Sequence, residues 1–157
     1  MNIKSSEEIQ VVVFKLGTDE YCVPVSQARE IQTYSVPTRI PNTPDFIEGI
    51  INLRGQIIPI LDLKKRFGSG ATQINPTTRV IIIEMNNELL GILVDSVSEV
   101  LKISQNRFEL PPSAVQTSIN NNYISGIGKL NERLLILIDL VKVLNEEEIE
   151  QLTGSKN

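Results

Sequence analysis

The chain is 157 residues long, with 15 Lys and Arg against 19 Asp and Glu, a formal net charge of −4, no His, no Trp and one Cys. Without imidazole and with a single thiol, it cannot assemble a zinc or copper site of the usual nitrogen–sulfur kind. Acid–base chemistry through His and an internal disulfide are excluded too.

In chain order, residues 1–10 are polar, lack the apolar core of a signal peptide, and open with a flexible N-terminus over 1–7. Val11, Val12, Val13, Phe14 and Leu16 make a strand over 11–16, the turn 17–20 follows, and a second strand covers 21–25. Ser26 is placed to cap a short helix over 27–31. Pro37, Pro41 and Pro44 then favour an extended loop, because each fixes φ and removes an N–H. Strands over 46–53 and 56–61 form a hairpin around Arg54-Gly55, where Gly55 supplies positive φ. Asp62 stands at the N-cap of a helix over 63–67, and 68–72 is a flexible loop.

The second half runs through the same events. Strands cover 80–85 and 89–94 around a turn at 86–88, and Asp95 is placed to cap a short helix over 96–101. A Pro-containing loop over 108–113 and a polar one over 117–122 precede a hairpin of 123–130 with 133–138 around Asn131-Glu132. Asp139 again stands at a helix start, over 140–144, and 146–157 reads as an acidic terminal helix and tail with a solvated Glu face. The apolar runs 80–83 and 134–138 are strand-length, far below the ~20 residues that cross a bilayer. A cytoplasmic protein with no membrane insertion is the expectation.

Self-similarity organises the whole. Laying 46–68 against 123–145 without a gap pairs Ile47 with Ile124, Gly49 with Gly126, Ile50 with Ile127 and Leu53 with Leu130. The same alignment pairs Asp62 with Asp139, Leu63 with Leu140 and Lys65 with Lys142. A weaker echo relates 21–31 to 90–100, keeping Val25 with Val94 and Glu30 with Glu99. Each half supplies about five strands and too little helix to cover a sheet, and closure into a small barrel removes exposed edges. The fold class expected is all-β with short helices, two packed barrels from an internal duplication, with exchange of strands between the barrels left open.

Few residues stand out as chemistry. Asp62 and Asp139 resemble a carboxylate pair, yet they occupy matching cap positions and are better read as caps. Glu30 and Glu99 end the two short helices, where a carboxylate opposes the helix dipole, so partner contact competes with a solvated face for Glu30. Arg54 sits at a hairpin tip with a rigid five-donor fork suited to interfaces. Ala28, Ile31, Val94, Val97 and Val100 form short apolar stripes that pack in the core or line a groove, and Cys22 is a small core residue. No phosphate cradle is present, since Gly68-x-Gly70 lacks the third glycine. Four Phe and three Tyr leave little for base stacking, and the acidic balance argues against nucleic acid.

The stretch Asn42-Thr43-Pro44-Asp45-Phe46-Ile47-Glu48-Gly49-Ile50-Ile51-Asn52-Leu53-Arg54-Gly55-Gln56-Ile57-Ile58-Pro59-Ile60-Leu61-Asp62-Leu63 closely resembles the signature of the CheW family of bacterial chemotaxis coupling proteins. Glu20-Tyr21 with 25–31, 91–100, Tyr123-Ile124-Ser125-Gly126 and Leu135-Ile136-Leu137-Ile138-Asp139 extend the likeness, in order, over 8–147. The resemblance implies one domain over 8–147, with repeats at about 11–68 and 79–145, built as two SH3-like five-stranded β-barrel subdomains. It also implies a non-enzymatic adaptor without cofactor or metal. Such an adaptor links the cytoplasmic tips of methyl-accepting chemotaxis receptors to the regulatory domain of the histidine kinase CheA, in arrays at the inner face of the membrane. That regulatory domain is itself similar to the family, so the two can alternate in rings, and other CheW-like domains are possible partners.

The family's receptor groove maps onto Ala28, Glu30, Ile31, Arg54, Val80, Val97 and Val100, and a helical hairpin would lay apolar side chains into it. Ala28 is smaller than the Val often found there, so a shallower groove is expected at that end. Kinase-facing residues are expected around Ile31 to Arg39, and the loop 108–115 corresponds to a second kinase-contact region, with Glu109 and Ala114 where a basic and an aromatic residue can occur. Two alternatives stand beside this reading. One is a coupling protein for another motility output. The other is a small-molecule enzyme or sensor using Asp62, Asp95 or Asp139, which requires those carboxylates to converge on one pocket.

Overall fold

The computed structural model describes residues 7–85, 87–112 and 123–143. Its strands are β1 (Glu8–Leu16), β2 (Asp19–Pro24), β3 (Glu30–Thr33), β4 (Ile47–Leu53), β5 (Gln56–Asp62), β6 (Arg79–Met85), β7 (Glu88–Val94), β8 (Ser96–Ser104), β9 (Phe108–Glu109), β10 (Ile124–Leu130) and β11 (Arg133–Ile138). A single-turn helix α1 covers Leu63–Arg66, and one-turn 3-10 helices cover Val25–Gln27, Gln105–Arg107 and Leu140–Lys142. The strands lie in two sheets, ordered β8-β1-β2-β11-β10-β9 and β3-β6-β7-β5-β4.

Each sheet draws on both halves of the chain, so the two barrels exchange strands and neither is closed by one half alone. The first takes β1 and β2 from the first half and completes itself with β8 to β11. The second takes β6 and β7 from the second half and completes itself with β3 to β5. The exchange is reciprocal down to register: Glu30 lies opposite Ile82, and its repeat partner Glu99 lies opposite Val13. The chain crosses from one sheet to the other through residues 25–29, where the Arg29 amide donates to Ile82 O, and crosses back through Asp95. Hydrophobic patterning says that a strand has an apolar face. It is silent on which hairpin the strand joins, and that choice is made by these two short crossings.

Both sheets curl until their edges meet. In the first, the edge strands β8 and β9 are joined by the three residues Gln105–Arg107. In the second, Thr38 bridges back to Ile50 on the opposite edge strand β4. Three apolar clusters follow. Val11, Val13, Cys22, Ile103, Phe108, Leu135 and Leu137 fill the first barrel, and Ile58, Ile60, Val80, Ile82 and Leu93 fill the second. Val12, Phe14, Leu16, Val23, Leu61, Ile81, Ile83, Ile92, Val94 and Ile138 join the larger cluster between them. β1 and β6 are therefore buried on both faces, which is why they read as unbroken apolar runs.

Two expected helices do not form. Residues 27–31 give the 3-10 turn Val25–Gln27 and the start of β3, and 96–101 belong to β8. Ser26 makes no cap bond; the residue before that turn is Pro24, without a side-chain cap. The cause is tertiary: β3 and β8 satisfy the outer edges of β6 and β1, and β8 buries Ile103 and partly buries Leu101 in doing so. Asp95 likewise caps no helix, because β8 begins at Ser96, and the caps at Asp62 and Asp139 are formed. Asp62 accepts from the Lys64 and Lys65 amides, and Asp139 accepts from the Val141 amide. Glu7, placed in the flexible N-terminus, accepts from the Gln105 amide at 2.8 Å. The remainder of that segment, the loop 117–122 and the acidic 146–157 lie outside the described residues.

Candidate interaction surface

Strand geometry decides which candidates face outward. Residues directly opposite one another in an antiparallel pair share a face. Ile31 lies opposite Ile81, whose side chain is in the cluster between the barrels, so Ile31 carries that face on to the edge strand β3. Val100 lies opposite Val12, of the same cluster, and does so on β8. Both are exposed, Ile31 at 39% and Val100 at 53%. Nearer the junction, Ala28 and Val97 pack on the inter-barrel cluster itself. A bulge in the β1–β8 ladder at Val13/Phe14 adds one residue to β8, which puts Val97 and Val100 on one face despite their odd spacing.

Glu30 and Glu99 share the opposite face with Ile82 and Val13, toward the barrel interiors. Glu30 accepts from Arg54 Nη2 at 2.6 Å and from Gln32 Nε2, tying the edge of β3 to the β4–β5 hairpin tip. Arg54 has φ 52 and Gly55 φ 85, so both turn residues are left-handed. That backbone suits the twist of a two-residue hairpin. The Arg54 hydrogen bond holds the Glu30 carboxyl below its usual range, and the same bond raises the guanidinium. With the Arg54 side chain 67% exposed, this pair presents a fork to solvent rather than stability.

The second barrel-mouth arrangement was not anticipated from the sequence. Arg133 forks onto Glu20 at 3.0 and 2.8 Å and reaches Glu99 at 2.9 Å. It is the pseudo-equivalent of the Glu30–Arg54 pair, but its arginine comes from the start of β11, because the repeat partner of Arg54 is Asn131. The hairpin-by-hairpin alignment hid it, and only the shared Glu30/Glu99 correspondence pointed toward it. Ile57 and Leu134 are a second missed pair, equivalent in the repeat and both exposed.

The remaining candidates divide. Val80 is 2% exposed and sits inside the second barrel, so it shapes the surface from behind and is not part of it. Glu109 is exposed on β9 and pairs with Lys129 at 2.6 Å. Ala114 lies outside the described residues. The three aspartates do not converge. Asp62 is buried at its own helix start with Thr72. Asp139 holds its own 3-10 turn and Gln27. Asp95 accepts from the Gly17 amide at the sheet crossing, which leaves the acid–base alternative without a site. Among the described residues no group of His, Cys, Asp and Glu is arranged to hold a metal.

The sequence also matches the family model described as CheW-like domain over residues 10–148. The chain belongs to the CheW-like domain family. It is 39% identical over 140 residues to the chemotaxis protein CheW of Klebsiella aerogenes, covering 89% of this chain and 84% of that protein. It is 35% identical over 145 residues to the chemotaxis protein CheW of Bacillus subtilis, covering 92% and 91%. The fold matches the crystal structure of the scaffolding protein TtCheW from Thermoanaerobacter tengcongensis at a TM-score of 0.81 and 39% identity, covering 90% and 91%. The chain is thus a chemotaxis scaffold of the CheW type with no catalytic role, and its two barrels are those of the family. No helix among the described residues is long and apolar enough to cross a membrane.

Proposed function

We propose that this scaffold couples the cytoplasmic tips of chemoreceptors to the regulatory domain of the histidine kinase CheA, and is recruited through them to receptor arrays at the inner face of the membrane. The observation that carries the receptor arm is the placement of Ile31 and Val100. Both are exposed on edge strands, and both continue the apolar face on which the barrels meet. Ala28 and Val97 extend that face toward the junction, and Arg54, held by Glu30, adds a directional fork at its border. An amphipathic helical hairpin suits such a surface, since helix-in-groove recognition uses aliphatic contacts with a few polar fixes. Val80 supports the wall from inside the second barrel.

The kinase arm is assigned to Glu109 on β9 and to the residues that follow it in sequence toward Ala114. Its support is the family membership and the exposure of Glu109 on that strand. The unit that carries both arms is the single domain over 8–147. The test is Arg54→Glu, which reverses the exposed fork without touching a core. Binding of a receptor cytoplasmic fragment should be lost while binding of the CheA regulatory domain is retained. A variant that bound the receptor fragment as the parent does would remove Arg54 from the site.

A further inference from the structure

The duplication supplies an internal reference for every paired group. Glu48 is the residue skipped in the β4–β5 ladder between Ile47 and Gly49, and its carboxylate pairs with Lys65 Nζ at 3.3 Å. Ser125 is skipped in the same way in the β10–β11 ladder between Ile124 and Gly126. The surrounding backbone repeats as well: the Asp62 amide donates to Phe46 O at 2.7 Å, and the Asp139 amide to Tyr123 O at 2.9 Å. Lys142 therefore stands where Lys65 stands, opposite a serine in place of the acid. Among the described residues the ion pairs involve Arg29, Arg54, Lys64, Lys65, Lys129 and Arg133, and none includes Lys142.

Ser125 and Lys142 line a cleft of about 340 Å³ with Pro24, Gln27, Leu110 and Asp139. Asp139 is already engaged, accepting from the Val141 amide at 3.0 Å and from Gln27 Nε2 at 3.1 Å. Its counterpart Asp62 coexists with the Glu48–Lys65 pair in the first half, so this carboxylate does not bar a second one. Leu110, 66% exposed at the rim, adds an apolar flank and follows Glu109 directly. Bulges re-aim side chains and recur beside functional positions.

We propose that this cleft receives a carboxylate side chain of a partner protein, which pairs with the Lys142 ammonium in the role that Glu48 plays for Lys65. An aliphatic neighbour of that carboxylate covers Leu110. The charge complementarity and the Glu48 precedent name the chemistry. Continuity with the β9 loop names the partner, the CheA regulatory domain, and in this the inference rests on the kinase arm proposed above.

The test is titration of the full chain with the CheA regulatory domain. Ser125→Glu supplies the missing acid from within, at a bulge that already accepts Glu in the other repeat, and should fold with an undiminished denaturation midpoint. It should weaken binding at least about tenfold, as should Lys142→Glu, while Lys15→Glu, an equal charge change elsewhere, should not. Parental affinity in both cleft variants overturns this inference alone. No binding by the parent chain defeats the kinase arm, and this occupant with it. If the Lys142 ammonium resonance of the free chain moves when Glu146, Glu147 and Glu148 become Gln, the cleft belongs to the chain's own tail and the proposal falls.

Discussion

Thr38 and Ile50 exchange two backbone hydrogen bonds, each 2.8 Å long, across the seam of the second barrel. That closure depends on the residue beside Ile50. Gly49 has φ 143, and a Cβ built there would lie 2.2 Å from Thr38 O.

Gly49→Ala should therefore destabilise the fold by about 3 kcal/mol, at the upper end for overpacking, because backbone and not a flexible side chain stands in the way. Gly17→Ala, at φ 63 with nothing within 4 Å, should cost only about 1 kcal/mol of left-handed strain. Urea midpoints compared at constant slope separate the two.

The two aspartate caps should differ in weight. Asp62 is fully buried and accepts from the Lys64, Lys65 and Thr72 amides and the Thr72 hydroxyl. Asp62→Ala leaves the buried Thr72 amide and hydroxyl and the part-buried Lys64 and Lys65 amides without an acceptor and should cost about 3 kcal/mol. Asp139→Ala, at a half-buried cap, should cost about 1 kcal/mol by the same denaturation measurement.

Acid should act through the mouth of the first barrel. The hydrogen bond from Arg133 holds the Glu20 carboxyl below the ordinary value of 4.5. A depressed carboxylate stabilises the fold at pH values above about 4.5 and loses that contribution as pH falls through its lower folded value. Glu20→Gln should flatten the acid limb of a stability–pH profile below about pH 4.5 and leave its shape near neutrality unchanged. An unaltered acid limb would show that Glu20 carries no linkage.

Cys22 should report global opening. It is fully buried in the first barrel, and burial pushes its thiol up to about 12. A thiol reagent at pH 8 should label it at the unfolding rate in the native chain and at once in urea. Immediate labelling without denaturant would mean that the first barrel opens locally.

The sequence carried the strands other than β3, β8 and β9, the hairpin turns, the Asp62 and Asp139 caps and the duplication, because each is written in local pattern. Gly49 and Gly126 were visible as identities, yet the close approach to Thr38 that Gly49 requires was not. The exchange of strands between barrels was hidden for a related reason: β3 and β8 look equally apolar whichever hairpin they join. Their edge-pairing overrode the helical spacing of Ala28 with Ile31 and of Val97 with Val100. Exposure was the least legible property. Val80 and Val100 are the same residue type in similar runs, and only register places one inside a barrel and the other on the surface. Arg133 was hidden because its pairing with a repeat-equivalent glutamate matches that of Arg54 while its alignment position does not.

The most direct test of the account is co-sedimentation of the CheA regulatory domain with a membrane-tethered receptor cytoplasmic fragment, with and without this chain. The chain should bring the kinase domain to the receptor, and Arg54→Glu should abolish that recruitment while still binding the kinase domain in solution. Recruitment that is unchanged by omitting the chain, or a chain that sediments with neither partner, would contradict it.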